Sequence, residues 1–209
     1  MPYPDRFYPV VDSVDWVHRL AALGVGTIQL RVKGLAHVDA VKIVRQALAL
    51  RGGARLVVND YWCAAIEAGA QHVHLGFEDS AEADFPALRR AGLTIGLSTH
   101  DEAELDAALS HKPDYVALGP IYPTTLKVMR FAPQGLERIA IWKQRIGTLP
   151  LVAIGGITLE RAPAVFAVGA DSIAVVSDIT QNSNPDARVR AWLQQAGIRE
   201  QTAACRRPE

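Results

Sequence analysis

Gln29, Arg31 and Lys33 alternate along a short β-branched run, so at the two-residue period of a strand all three share one face. Two cations and an amide on one face call for an anion, because an unpaired buried charge is costly. Arginine offers a planar fork and lysine a point charge, which together suit a phosphate or pyrophosphate. Salt bridges to Asp60 or Glu78 are the structural alternative, since surface ion pairs are common and weak. Asn59-Asp60 closes the next apolar run and Glu78-Asp79 follows the one after it. Carboxylates at adjacent strand ends beside basic residues point to a hard divalent cation, Mg²⁺, bridging one or two carboxylates and a substrate phosphate. Helix N-capping by Asp60 and Asp79 is the competing reading, because each stands before a helical pattern.

Other residues carry weaker chemistry. His72 and His74 share a face, but no further ligands at zinc spacing accompany them, so at least one is expected inside the fold as a hydrogen-bonded imidazole. Cys63 lies in an apolar helical stretch with no base beside it and reads as a buried, inert thiol. Ser98 and His100 share a side without an evident acid, which favours Ser98 as a donor to a phosphate or leaving group over Ser98 as a nucleophile. Gly155-Gly156-Ile157-Thr158 and Ala174-Val175-Val176-Ser177 close two further runs. Glycines there would let backbone N–H groups approach phosphate oxygens, although tight strand–helix turns need small residues for their own reasons. The segment Gly119–Lys127, with Thr124, Thr125 and Lys127, is the longest loop and could close over a ligand. The residues thus describe two anion sites, one basic with a metal and one a neutral Gly/Ser/Thr cradle. Such a pair would join a pyrophosphorylated substrate to a phosphorylated one.

These residues need elements to hold them. Eight β-branched runs recur: Phe7–Asp12, Thr27–Lys33, Arg55–Asp60, His72–Gly76, Thr94–His100, Tyr115–Ile121, Leu151–Thr158 and Ser172–Ser177. Amphipathic stretches such as Asp15–Leu23, His37–Leu50 and Asp101–Leu109 lie between them, and Gly24, Gly69, Gly92, Gly169 and Gly197 stand where helices should stop. Eight such units in 209 residues predict a single-domain (β/α)8 TIM barrel over residues 1–198, with a polar, frayed tail at 199–209. A doubly wound open sheet is the alternative. In a barrel the chemistry sits at the C-terminal strand ends, where the polar residues above all fall. With 22 basic and 22 acidic residues the formal charge is zero, which removes the electrostatic case for nucleic acid or an anionic membrane. No apolar run reaches the roughly 18 residues of a membrane helix. The N-terminus does not read as a secretory signal. Two cysteines, Cys63 and Cys205, fit a reducing cytoplasm. Oligomeric state is left open.

The ordered set Gln29-Leu30-Arg31-Val32-Lys33, Leu56–Asp60, Val73–Gly76 with Glu78-Asp79, Gly96–His100, Leu118–Lys127, Ala132–Leu136, Ala153–Ile157 and Ala174–Ser177 resembles the thiamine-phosphate synthase family across residues 7–197. The resemblance implies a (β/α)8 barrel that condenses hydroxymethylpyrimidine pyrophosphate with hydroxyethylthiazole phosphate. The implied products are thiamine phosphate and pyrophosphate, formed through a dissociative pyrimidine carbocation. On the matching positions it implies that Gln29, Arg31, Lys33 and Asn59 hold the pyrimidine pyrophosphate and that Asp60 and Asp79 ligate Mg²⁺. Ser98 and Lys127, with Arg31, would stabilise the departing pyrophosphate. Thr124, Gly156, Val176 and Ser177, with Thr125 beside them and nearby backbone N–H groups, would hold the thiazole phosphate.

Three positions depart from the family pattern. Leu126 replaces a threonine after the sixth run, Phe77 stands where glutamine is common, and Asp178 adds a negative charge after Ser177. Weaker thiazole-phosphate affinity is the expected result. Two rival readings follow: a related thiazole tautomerase, which would need neither metal nor pyrophosphate contacts, and a non-catalytic binder of thiamine intermediates.

Overall fold

The structure is a computed structural model that describes residues 3–124 and 131–197. Eight parallel strands close on themselves in chain order: β1 (Phe7–Val11), β2 (Thr27–Leu30), β3 (Arg55–Asn59), β4 (His72–Leu75), β5 (Thr94–Thr99), β6 (Tyr115–Leu118), β7 (Leu151–Ile154) and β8 (Ser172–Val175). The register of β1 on β8, Phe7 opposite Ile173 and Tyr8 opposite Ala174, seals the barrel. Around it run α1 (Val14–Ala22), α2 (His37–Leu50), α3 (Trp62–Ala68), α4 (Phe77–Ala81) and α5 (Phe85–Arg90). They are followed by α6 (Glu102–Ser110), α7 (Gly135–Ile146), α8 (Ala162–Ala167), α9 (Ser177–Thr180) and α10 (Pro185–Gln195). The open-sheet alternative is thereby excluded.

Local chemistry starts and stops these helices. Ser13 accepts from Trp16 N at the head of α1, Asp101 from Glu104 N at the head of α6, and Asn184 from Ala187 N ahead of Pro185 in α10. The five glycines expected at helix ends all take left-handed φ, from 74° to 108°. The strand period sorts the barrel into two cores. Outward residues such as Ile28, Leu56, Val73, Ile95, Val116 and Ile173 pack against the helices. Inward ones, Tyr8, Val57, Tyr115, Val152 and Ala174, fill the lumen.

The runs overshoot the sheet at their C-terminal ends. Thr27–Lys33 is strand only to Leu30, Tyr115–Ile121 only to Leu118, and Leu151–Thr158 only to Ile154. There the chains leave their neighbours to enter the loops, so the ladder ends although the alternation of side chains continues; Arg31 N still donates to Val11 O at 2.7 Å. Cys63 is exposed rather than buried, because α3 turns Ala64 and Ala65 inward and leaves Cys63 on its outer face.

The opposite end is closed by the N-terminal segment. Asp5 is buried and accepts from Thr27 Oγ1 at 2.8 Å and from Arg55 Nη2 at 3.0 Å, while its carbonyl accepts from Ser172 Oγ at 2.6 Å. Tyr3 stacks on His72, ring centroids 4.9 Å apart, above this floor.

Candidate active site

At the C-terminal ends of the strands opens a cavity of about 710 Å³. Gln29, Arg31, Asn59, Ser98, Thr124, Gly156, Val176 and Ser177 all line it, together with His74, His100, Gly155 and Thr180. Eight of the residues assigned a substrate role from the sequence therefore meet at one mouth. Thr125, Leu126 and Lys127 lie outside the described residues. The segment is anchored on either side of them: Ile121 N donates to Ile154 O at 2.9 Å, and Gln134 N to Pro120 O at 2.7 Å.

Lys33, Asp60 and Asp79 sit beside the cavity, joined to it through Asn59. Asp60 adopts a left-handed backbone with φ of 62°, a conformation that aspartate tolerates better than most residues. This turns its carboxylate back over the strand ends, where it accepts from Lys33 Nζ, Asn59 Nδ2 and, at 3.1 Å, Gly76 N. Asp60 therefore does not cap α3, whose N-cap is Tyr61. The ion pair foreseen as the structural alternative for Lys33 is present. Asp79 lies within the first turn of α4 and is not its cap; that position is Gly76. The carboxyl groups of Asp60 and Asp79 lie close enough to act on one another's ionisation. Burial works to raise Asp60, but hydrogen bonds from Lys33 and Gly76 outweigh it and hold Asp60 below the ordinary carboxylate value. Burial and then the charge of Asp60 push Asp79 upward. A Cβ on Gly76 would come within 3.0 Å of Asp79 Oδ2, so the glycine leaves room for this pair. Two carboxylates gathered around Gly76 at adjacent strand ends form an all-oxygen donor set that fits a hard divalent cation completed by water and phosphate oxygens.

The opposite edge is neutral. Gly155 and Gly156 have φ of 99° and 63°. A Cβ at Gly155 would lie 2.6 Å from Pro120 Cα, and one at Gly156 would collide with the Pro123 carbonyl, so only glycine lets β7 turn this tightly under the preceding loop. Ser177, which lines the same opening, is the first residue of α9.

Both histidines of β4 point inward. His74 is buried, with Nδ1 2.9 Å from Tyr115 Oη and Nε2 2.8 Å from Ser98 Oγ. Burial pushes its pKa down to about 4, as burial and then Arg55 and Arg51 do for His72, also to about 4. Tyr115 Oη in turn lies 2.9 Å from Tyr8 Oη, which accepts from Gln29 Nε2 at 2.8 Å. Burial raises both phenols and keeps them protonated. Ser98 thus has a histidine partner, but the group behind that histidine is a phenol, so no nucleophilic triad is assembled. His100 does have an acid: Glu104 Oε2 lies 2.7 Å from its Nδ1 and 2.9 Å from its backbone N. The sequence reading misses Glu104, whose only signal is its four-residue spacing from His100 across a helix start.

The remaining departures lie away from the mouth. Phe77 is 40% exposed on α4. Asp178 turns from the cavity: Arg188 grips it through Nε and Nη2, each at 2.8 Å, and Trp192 Nε1 donates to it at 2.7 Å. The charge expected to disturb a phosphate is neutralised between α9 and α10.

Residues 7–179 match the sequence profile of the thiamine monophosphate synthase family. The chain is 56% identical over 191 residues to the thiamine-phosphate synthase of Rhizobium etli, covering 90% of this chain and 94% of that one. It is 49% identical over 200 residues to the thiamine-phosphate synthase of Escherichia coli K12, covering 95% of each. Among solved structures it resembles the thiamine phosphate pyrophosphorylase of Pyrococcus furiosus, with a TM-score of 0.78 and 25% identity over 92% of this chain and 95% of that one. A 3-hexulose-6-phosphate synthase, 14% identical with a TM-score of 0.69 over 91% of this chain and 99% of that one, shares the fold.

Proposed function

The chain belongs to the thiamine monophosphate synthase family and is a transferase that releases pyrophosphate, and from that premise we propose how its residues divide the work. The substrates are hydroxymethylpyrimidine pyrophosphate and hydroxyethylthiazole phosphate. The C–O bond to the pyrophosphate breaks first and its electron pair leaves with pyrophosphate. The lone pair of the thiazole nitrogen then forms the new C–N bond to the pyrimidine carbocation. This chemistry asks for little proton transfer. It asks for charge stabilisation on the leaving group and for two rings held within reach.

Arg31 and Lys33 supply the positive charge, Asn59 and Gln29 orient the pyrimidine, and Ser98 donates to the leaving group. Lys127 joins Arg31 and Ser98 in this role on the strength of the family motif. Thr124, Gly156, Val176 and Ser177, with Thr125, hold the thiazole phosphate through hydroxyl and backbone N–H groups. Asp60 and Asp79 would hold Mg²⁺, which would offset the charge of the pyrophosphate. The observation that carries this reading is the single cavity of about 710 Å³ bounded by Arg31 and Asn59 on one side and Gly156 and Ser177 on the other. We place the reaction in the cytoplasm on the sequence reading of the two cysteines; separately, no helix among the described residues is long and apolar enough to cross a membrane.

The test is pyrophosphate release by the pure protein, with each substrate alone and both together, with and without Mg²⁺. Release is expected only with both substrates and metal, and Asp60→Ala should lower it by about a hundredfold or more, the scale of losing a preorganised electrostatic group. Metal-independent release, or full activity in Asp60→Ala, would refute the metal assignment. Turnover of a thiazole phosphate without pyrophosphate release would favour the tautomerase.

A further inference from the structure

Five side chains from five strands form one continuous hydrogen-bonded line through the lumen, from Gln29 through Tyr8, Tyr115 and His74 to Ser98. Both ends open on the cavity. We propose that Tyr8, Tyr115 and His74 are positioning residues that lock Gln29 as a hydrogen-bond acceptor and Ser98 as a donor toward the substrates, by fixing the direction of every bond between them. The part played by Ser98 rests on the reading above that the leaving group departs beside it.

The direction follows from counting protons. Gln29 Nε2 donates to Tyr8 Oη. A phenol has one proton, so that of Tyr8 goes on to Tyr115 Oη, and that of Tyr115 to His74 Nδ1. Nδ1 is then an acceptor, and the neutral ring carries its proton on Nε2, which donates to Ser98 Oγ. The hydroxyl proton of Ser98 is left for the cavity, where a developing phosphate anion needs a donor. At the other end the amide nitrogen of Gln29 is committed to Tyr8, and its oxygen is left to accept. A protonated His74 would donate from both nitrogens and set the phenol protons against the Gln29 amide. Reversal of the line needs the amide to rotate and draws the Ser98 proton inward. The two ends of the mouth, far apart in sequence, are therefore coupled in polarity.

The fold makes space for this line. The register places His74 beside Gly96 and Gly96 beside Tyr115. A Cβ at residue 96 would overlap the Tyr115 ring. Without one, the ring crosses β5 and stacks on His74, centroids 5.5 Å apart and 20° between planes.

Nitrogen-15 NMR of the free enzyme labelled at histidine reads the tautomer of His74 directly, its signals identified by their loss in His74→Gln. Near neutral pH the proton is expected on Nε2. A proton on Nδ1, or an even mixture, overturns the proposal. In Tyr115→Phe the tautomer should become mixed, and kcat for pyrophosphate release should fall about tenfold while KM for the thiazole phosphate holds. Loss of activity that merely tracks the unfolded fraction, with the tautomer unchanged, would mean a structural role only and overturns the proposal. Should Tyr115→Phe not fold, Tyr8→Phe breaks the same line one bond nearer Gln29 and carries the same expectations. An Nε2 proton in a wild-type protein that releases no pyrophosphate would uphold the line and refute the functional reading alone.

Discussion

The carboxylate of Asp178 is held by a two-point contact from Arg188 and by the indole N–H of Trp192, and its side chain is 9% exposed. Arg188 also reaches Glu160, so one guanidinium ties the β7–α8 loop to α9 and α10. Removing the acid would leave a largely buried guanidinium short of a partner, which costs about 2 kcal/mol after allowance for the remaining contact to Glu160. Asp178→Ala should therefore lower the unfolding midpoint while KM for the thiazole phosphate stays within about twofold, since no contact to the mouth is lost. A normal midpoint with a raised KM would place the charge in the phosphate site after all. At this scale the sequence is most informative where a run of neighbours shares a face. Gln29 and Arg31 are legible because alternation alone puts them together. The partners Tyr8 and Tyr115 are not, because they meet across 107 residues through closure of the barrel.

Each strand of the barrel is recoverable from its apolar run, and α2 from its period over His37–Leu50. What periodicity cannot mark is where a strand stops, since side chains go on alternating after the backbone has left the sheet. It also cannot mark α4 and α9, which span five and four residues, little more than one turn. The segment before β1 shows the same limit. Asp5 has no pattern around it, yet it joins β2, β3 and β8 through Thr27, Arg55 and Ser172. Truncation at Asp5→Ala orphans the Thr27 hydroxyl and loosens Arg55, which is 34% exposed and regains water. The cost should be about 2 kcal/mol, a fall in midpoint of about 4–8 °C by heat-unfolding, with pyrophosphate release at low temperature unchanged. A variant as stable as the parent would show that the floor does not depend on this hub.

For the molecule as a whole, two imidazoles in the lumen set its response to acid. His72 and His74 both have pKa values near 4 in the folded barrel against an ordinary value of 6.5. The unfolded chain takes up these protons first as pH falls. Their contribution is intact above pH 6.5 and is lost as pH drops from 6.5 toward 4, each histidine adding a slope of up to about 1.4 kcal/mol per pH unit. Urea unfolding at pH 8.5, 7.5 and 5 should show stability level between the first two and lower at the third, with His72→Gln reducing the drop. A stability independent of pH across this range would contradict the burial seen here.

The floor has one more consequence. With Asp5, Tyr3 and His72 packed across the far end, the lumen is a blind alley. Everything that reacts at the mouth arrives and departs by the same doorway, and pyrophosphate and the joined product must queue for it. Gly119, Pro120 and Thr124 border that doorway, so the turn after β6 bears on how quickly the enzyme clears itself for the next round as well as on what it binds.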